Sequence, residues 1–208
     1  FAESIRFIRK EKPVIAKVVL EVCGINLFLS AMIIVALPYL VTEVLDFGAD
    51  QANRLCGFAE GALAAGGLAG GICAGVFAGR LSIRRAGNLV IACALCVLPV
   101  SAVLLLSSSG LLCYLVLVVC CFFIMVFSTI FSVQMLSFVQ TETPKNLIGK
   151  VIAVILTVTM CAQPLGNALY GVLFEISTGF EFAVVLFSGV VSLIIAGYAR
   201  NIFKAFSD

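Results

Sequence analysis

Among the amide and carboxyl side chains that interrupt long apolar runs, five are candidates to bind a solute or carry a proton. They are Asn26, Glu60, Gln134, Gln163 and Asn167. Gln163 and Asn167 are four residues apart, a spacing that places both on one helical face. Polar groups at membrane depth are costly, and they either line a solute or ion pathway or hold helices together by hydrogen bonds. We therefore expect these five residues to line a transport cavity, with interhelical hydrogen bonding as the alternative.

Glu60 is the carboxyl that we expect to couple transport to protons or to contact a cation. It precedes Gly67 by seven residues, so it shares a helical face with a ladder formed by Gly67, Gly71, Gly75 and Gly79. Glycines at this spacing let a second helix approach closely, and that contact would turn Glu60 toward protein. Glu60 also lies only about 8 Å inside its run at 1.5 Å per residue. A water-exposed position at the rim is therefore the alternative.

Other small or helix-breaking residues predict further close packing. Gly66 and Gly70 form a second ladder beside the first, and Pro164 and Gly166 interrupt the run that carries Gln163. Such residues are common where membrane helices meet. We expect them to set the packing of the bundle.

Several reaction classes are excluded by what the sequence lacks. It contains no histidine, which removes Ser-His hydrolysis and most metal chemistry. Lys150 is followed by Val151, so its surroundings do not form a nucleotide-binding P-loop. The nine cysteines lie in or beside apolar runs and are interpreted as packing residues. We predict no enzyme activity, no catalytic residue, no metal site and no cofactor.

Composition indicates an integral membrane protein, because 62% of residues are hydrophobic, 12% are charged, and the mean hydropathy is +1.21. About 20 apolar residues cross the hydrocarbon core of a bilayer. Six runs are long enough: Val14–Val41, Leu55–Gly79, Gly87–Leu106, Gly110–Phe138, Ile148–Phe174 and Phe182–Tyr198. We predict an all-α fold with a cytoplasmic amphipathic segment at residues 1–13 and a six-helix transmembrane bundle at residues 14–208.

The charges predict the orientation of these spans. Lys and Arg cluster before span one, between spans two and three, between spans four and five, and after span six. By the positive-inside rule both termini are expected in the cytoplasm, with the protein in the plasma or inner membrane. Lys17 and Glu21, four residues apart near the start of span one, are interpreted as a structural ion pair at the membrane interface.

Polar residues concentrate in spans one, two, four and five, whereas spans three and six are almost purely apolar. Two inverted three-helix repeats would produce this distribution. Such repeats are a common plan among secondary transporters.

Three stretches make the chain similar to the second half of a major facilitator superfamily transporter, in the drug, macrolide and siderophore exporter branch. "ESIRFIRKEKP" (3–13) resembles the basic segment that leads into the second bundle. "GVFAGRLSIRRAG" (75–87) resembles the family's glycine-plus-basic loop, with Gly75, Arg80, Arg84 and Arg85 at motif positions. "VQTETPKNLIGKVIAVILTVTMCAQPLGNALYG" (139–171) is the closest match. The loop departs from the family pattern at Gly79, where an aspartate is usual, and at Ser82, where a glycine is usual.

The resemblance implies half of a twelve-helix secondary transporter that exports small lipophilic or drug-like molecules by proton-coupled alternating access, as an antiporter. The implied partners are membrane lipid, the N-terminal six-helix half, a small-molecule substrate and protons, and no nucleic acid. Because the chain begins with Phe1 and not Met, we expect it to be a piece of a longer protein. The alternative is a six-helix module that homodimerises through its glycine ladder or serves a structural role.

Overall fold

Helices form most of the chain in the computed structural model, which describes residues 5–77, 86–107 and 109–205, with side chains to residue 200. Six of them are long and apolar enough to cross a membrane. They are α1 Pro13–Val44, α2 Ala49–Val76, α3 Ala86–Leu106, α4 Gly110–Glu142, α5 Ile148–Ile176 and α6 Glu181–Ala205. The described residues contain no strand. The predicted all-α bundle of six spans is therefore confirmed.

Three helices extend well beyond the apolar runs that predicted them. α2 begins at Ala49, six residues before the predicted span, α4 continues to Glu142, four residues past it, and α6 continues to Ala205, seven residues past it. The added turns carry polar residues such as Asp50, Gln51 and Gln140. Helical hydrogen bonding does not require apolar side chains, so the helices continue where the hydropathy signal stops.

The first spanning helix is irregular at two places. α1 is α-helical over Pro13–Ile25 and Ala31–Tyr39, and it has π-helical hydrogen bonding over Asn26–Ser30 and Leu40–Val44. In the first π segment the Ala31 N–H donates to the Asn26 carbonyl. Single π turns within long helices are rare and occur frequently at functional sites.

The helices pair in a pattern that repeats between the two halves of the bundle. α2 packs mainly on α4, α5 packs mainly on α1, and α3 packs on α4 and α6. Exchanging the first three helices for the last three converts the α2–α4 pair into the α5–α1 pair. Because each half has an odd number of spans, the second half runs through the membrane in the opposite sense. The pairing agrees with two inverted three-helix repeats.

At the α2–α4 contact, two glycines face backbone carbonyls. A Cβ added at Gly70 would lie 2.6 Å from the Val126 carbonyl oxygen and 2.9 Å from the Thr129 Cβ. A Cβ added at Gly66 would collide with the Phe122 carbonyl oxygen. The two helix backbones therefore touch directly at this point, which only residues without a side chain allow.

The predicted ladder of glycines lies beside this contact. A Cβ added at Gly67 would make ordinary contacts with side chains, the Met125 Cε at 3.7 Å and the Thr129 Oγ1 at 3.9 Å, whereas Gly71 and Gly75 are exposed with nothing within 4 Å. Gly79 lies outside the described residues. Successive residues turn by about 100° around a helix, so a shift of one residue changes the face. The packing stripe in this bundle is Gly66 and Gly70, which corrects the predicted ladder.

The N-terminal segment packs against one end of the bundle. Phe7 and Ile8 are buried against Ile15, Val139 and Val151, from α1, α4 and α5. Arg9, Lys10 and Glu11 are exposed on the same turn, so the segment is amphipathic. Lys12 Nζ lies 2.7 Å from Glu142 Oε2 and joins the segment to the end of α4. We refer to this end of the bundle as the basic side.

Candidate transport cavity

A cavity of about 290 Å³ lies between α1, α4 and α5. Most of its wall is apolar and includes Phe131, Met135 and Met160. Four polar side chains also line it: Asn26, Ser132, Thr159 and Gln163. Small-molecule sites are typically concave and apolar with a few polar groups that fix the ligand. The cavity has this chemistry and suits a small lipophilic solute with one or two polar groups.

Asn26 both lines the cavity and forms a hydrogen bond between helices, the two alternatives expected from the sequence. It lines the cavity, and its Nδ2 donates to the Thr159 carbonyl of α5 at 3.0 Å. Its Oδ1 accepts a hydrogen bond of 3.4 Å from Ser30 Oγ. Because the amide already bonds on both sides, Asn26 joins α1 to α5 at the cavity wall and starts the π segment.

Gln163 and Asn167 lie one turn apart on α5, as their spacing predicted. Gln163 lines the cavity. Asn167 is half-buried outside the cavity wall, and its Oδ1 accepts no hydrogen bond from the described residues. Gln163 is therefore the amide of this pair that a solute in the cavity meets.

Gln134 and Glu60 lie away from the cavity wall. Gln134 is only 7% exposed, and neither of its amide atoms has a hydrogen-bond partner among the described residues. Glu60 is exposed on α2, on the face of Gly67 and Gly71 rather than on that of the packed glycines. Its part in the transport cavity stays a prediction.

The remaining predicted site residues are distributed as follows. Gly166 packs against α1, where an added Cβ would collide with the Leu27 carbonyl oxygen, and Pro164 is exposed on α5. Gly75 is exposed at the end of α2. The loop residues Arg80, Arg84 and Arg85 lie outside the described residues.

The carbonyl of Phe28, in the first π segment, accepts two side-chain hydrogen bonds that the sequence did not reveal. Tyr170 Oη of α5 donates to it at 2.8 Å, and Ser188 Oγ of α6 donates at 2.6 Å. Both donor residues are fully buried. Tyr170 lies three residues after Asn167, so the sequence could predict that both side chains share one face of α5. It could not predict the acceptor, because every residue has a backbone carbonyl. This carbonyl joins three helices beside the cavity.

The two donors on the Phe28 carbonyl predict non-additive stability effects. Tyr170→Phe or Ser188→Ala alone leaves one donor in place, so each is expected to cost about 0.6 kcal/mol, a typical value for such bonds in membranes. The double variant leaves the carbonyl without a side-chain donor and should cost more than the sum of the singles. Thermal unfolding of the purified protein in detergent measures this, with Tyr198→Phe, which is exposed, as the control. Strict additivity would contradict the shared acceptor.

Six spanning helices form two inverted repeats, and a cavity with four polar side chains in its wall lies between α1, α4 and α5. This arrangement is that of a bundle of a multi-pass membrane transporter. The family model of the Major Facilitator Superfamily matches residues 1–167, and the chain belongs to this superfamily. Its members are membrane transporters rather than enzymes. No curated protein and no solved structure matches the chain.

Proposed function

We propose that the chain is the second six-helix half of a secondary active transporter, which exports small lipophilic or drug-like molecules by proton-coupled alternating access. The cavity between α1, α4 and α5 carries the proposal. Its volume of about 290 Å³ is near the lower end of ordinary ligand sites, and its wall is apolar apart from a few amide and hydroxyl groups. If a second bundle also contacts the ligand, this cavity needs to bury only part of the ligand's surface, which agrees with its small volume.

The outward face of α2 supports a partner beyond this chain. It exposes large apolar side chains, Phe58, Leu68, Ile72 and Val76, next to glycines that touch nothing. We propose that this face meets the N-terminal six-helix half of the same transporter. Glu60, exposed on this face, would there contact a cationic solute or carry a proton.

The same face also fits the second candidate function, a module that pairs with another copy of itself. Light scattering of the purified intact protein separates the two. A single polypeptide with both halves favours the transporter half, and a dimer of six-helix chains favours the homodimeric module.

The expected location is the plasma or inner membrane, with both termini in the cytoplasm. The support is the charge distribution, because Arg9, Lys10 and Lys12 lie at the same end of the bundle as Lys150 and Arg200. Basic residues are retained on the cytoplasmic side during insertion.

Flux of a fluorescent lipophilic cation into inside-out vesicles tests the function. Vesicles that contain the intact protein should accumulate the dye when a pH gradient is applied and lose this accumulation when the gradient is collapsed. Gln163→Ala removes a polar group from the cavity wall and should weaken apparent affinity roughly five-fold, since one hydrogen bond contributes about 1 kcal/mol.

The matched control is Gln51→Ala, because Gln51 is exposed at the start of α2 and lies outside the cavity wall. It should transport as the parent protein does. Accumulation equal to that of protein-free vesicles, over a panel of lipophilic cations and neutral dyes, would overturn the proposed function.

A further inference from the structure

Glu21 of α1 is a buried carboxyl without a hydrogen-bond partner. It is 4% exposed, and neither carboxylate oxygen accepts a hydrogen bond from the described residues. The sequence had suggested an ion pair with Lys17. However, Lys17 is exposed, and no hydrogen bond from it reaches Glu21. A hydrogen bond from Lys17 therefore does not explain why a carboxyl is kept at this position.

Two other buried polar side chains also lack hydrogen-bond partners among the described residues. Gln134 of α4 is 7% exposed and has no partner for either amide atom, and Ser192 of α6 is 0% exposed with an unpartnered Oγ. Buried polar groups are nearly always hydrogen-bonded, so each exception calls for an explanation. Glu21 is the one carboxyl among them.

Glu21 and Gln134 lie at similar depth on the basic side, and Ser192 lies deeper. The Lys12–Glu142 ion pair sets α1 and α4 in register, and Glu21 and Gln134 lie about 13 Å and about 12 Å further in, at 1.5 Å per residue. On α6, Gly24 faces Ile195 and the Phe28 carbonyl accepts from Ser188. Ser192 lies between these contacts, about one helical turn deeper than Glu21.

Ionised groups near Glu21 are confined to the rim of the bundle. Apart from Glu21, the described Asp, Glu, Lys and Arg side chains of the N-terminal segment, α1, α5, α6 and the end of α4 are exposed or half-exposed. They are Arg6, Arg9, Lys10, Glu11, Lys12, Lys17, Glu43, Glu142, Lys150, Glu175, Glu181 and Arg200. The buried titratable side chains described elsewhere in the bundle are thiols and phenols: Cys93, Cys113, Tyr114, Cys120, Cys121 and Tyr170. None of them donates a hydrogen bond to Glu21.

A route to the carboxyl exists along its own helix. Val18 and Val22 line the transport cavity, and Glu21 directly precedes Val22 on the adjoining face. A small rotation of α1 against α4 would bring the carboxyl to the cavity. In the closed interior an ionised carboxylate is far more costly than a neutral acid, whereas contact with water removes that difference.

We propose that Glu21 binds and releases the coupling proton of transport, a step that rests on the proposed function. The carboxylate takes up one proton to become the neutral acid in the closed interior. It releases that proton when α1 opens the carboxyl to water, which solvates the ionised form. A proton needs one basic oxygen, whereas a metal cation needs several ligands at once.

Infrared difference spectroscopy tests proton binding without requiring transport. The intact protein in detergent should show a protonated carboxylic acid band at neutral pH. Glu21→Gln should remove that band, and Glu175→Gln, at an exposed carboxyl near the end of α5, should keep it. Glu21→Gln conserves shape and is neutral, so it should elute as folded protein. Should it elute aggregated, Glu21→Asp must retain a band at a shifted frequency. A band that is unchanged by every Glu21 substitution overturns the proposal.

Vesicle flux then separates this inference from the function on which it rests. Glu21→Gln should lose pH-driven dye accumulation but keep dye exchange down its own gradient, whereas Glu175→Gln, at an exposed carboxyl near the end of α5, should keep both. If the parent protein moves no dye, the proposed function fails. If the parent transports and Glu21→Gln retains full pH-driven accumulation, or if a sodium gradient alone drives the parent, Glu21 is not the coupling site.

Discussion

The double variant Gly66→Ala/Gly70→Ala is expected to lose its folded bundle at temperatures that the parent protein withstands. Each added methyl group would collide with a carbonyl of α4, at Phe122 or Val126, so the helices must separate. Overpacking of this kind costs about 1–3 kcal/mol per site, hence about 2–6 kcal/mol for the pair. That range is comparable to the whole stability of many proteins. Size-exclusion chromatography of heated, detergent-solubilised protein measures the loss.

The matched control is Gly171→Ala/Gly197→Ala, because these two glycines are exposed and have nothing within 4 Å. Alanine is the better helix former by about 1 kcal/mol per residue, so the control should be at least as stable as the parent. Equal loss in both double variants would show that α2 and α4 do not meet at Gly66 and Gly70.

Gly166→Ala is expected to damage both stability and transport. The new methyl group would meet the Leu27 carbonyl and would lie 2.5 Å from the Ala31 Cβ, so α1 must move away from α5. That movement stretches the bond from Tyr170 to the Phe28 carbonyl and widens the cavity. We expect a loss of about 1–3 kcal/mol in unfolding free energy together with strongly reduced flux. Thermal unfolding and vesicle flux measure the two effects.

A second substitution tests the geometry of this contact. Ala31→Gly removes one of the two colliding groups, so Gly166→Ala/Ala31→Gly should recover part of the lost stability but not all, because the Leu27 carbonyl remains. Gly171→Ala on the same helix should behave as the parent does. Full stability in Gly166→Ala alone would contradict the close approach of α1 and α5.

The number and order of the helices were predictable because hydropathy reports length directly. It was harder to predict which side of a helix packs against its neighbour. The ladders that begin at Gly66 and Gly67 have the same spacing and differ by about 100° around α2. Only the position of α4, which presents the Phe122 and Val126 carbonyls, distinguishes them. For this reason the sequence did not show that Glu60 lies on the exposed surface of this bundle.

The cavity was predictable only in part. Asn26 and Gln163 line it because amides in an apolar run seldom face lipid, and that argument needs no neighbouring helix. Glu21 was missed because a lysine four residues earlier offered a local partner. Its burial depends on how α1 is turned within the bundle, which local spacing does not determine. The π segment at Asn26–Ser30 likewise depends on donors from α5 and α6.

The direct contact of glycines with backbone carbonyls has a consequence for how such a protein diversifies. The spacing between paired helices is set by atoms that every residue type shares, at Gly66, Gly70 and Gly166. Side chains on the cavity wall, such as Met160 and Gln163, take no part in setting that spacing. Mutations that alter cargo preference can therefore accumulate on the wall while the frame stays constant, so one scaffold can acquire many specificities.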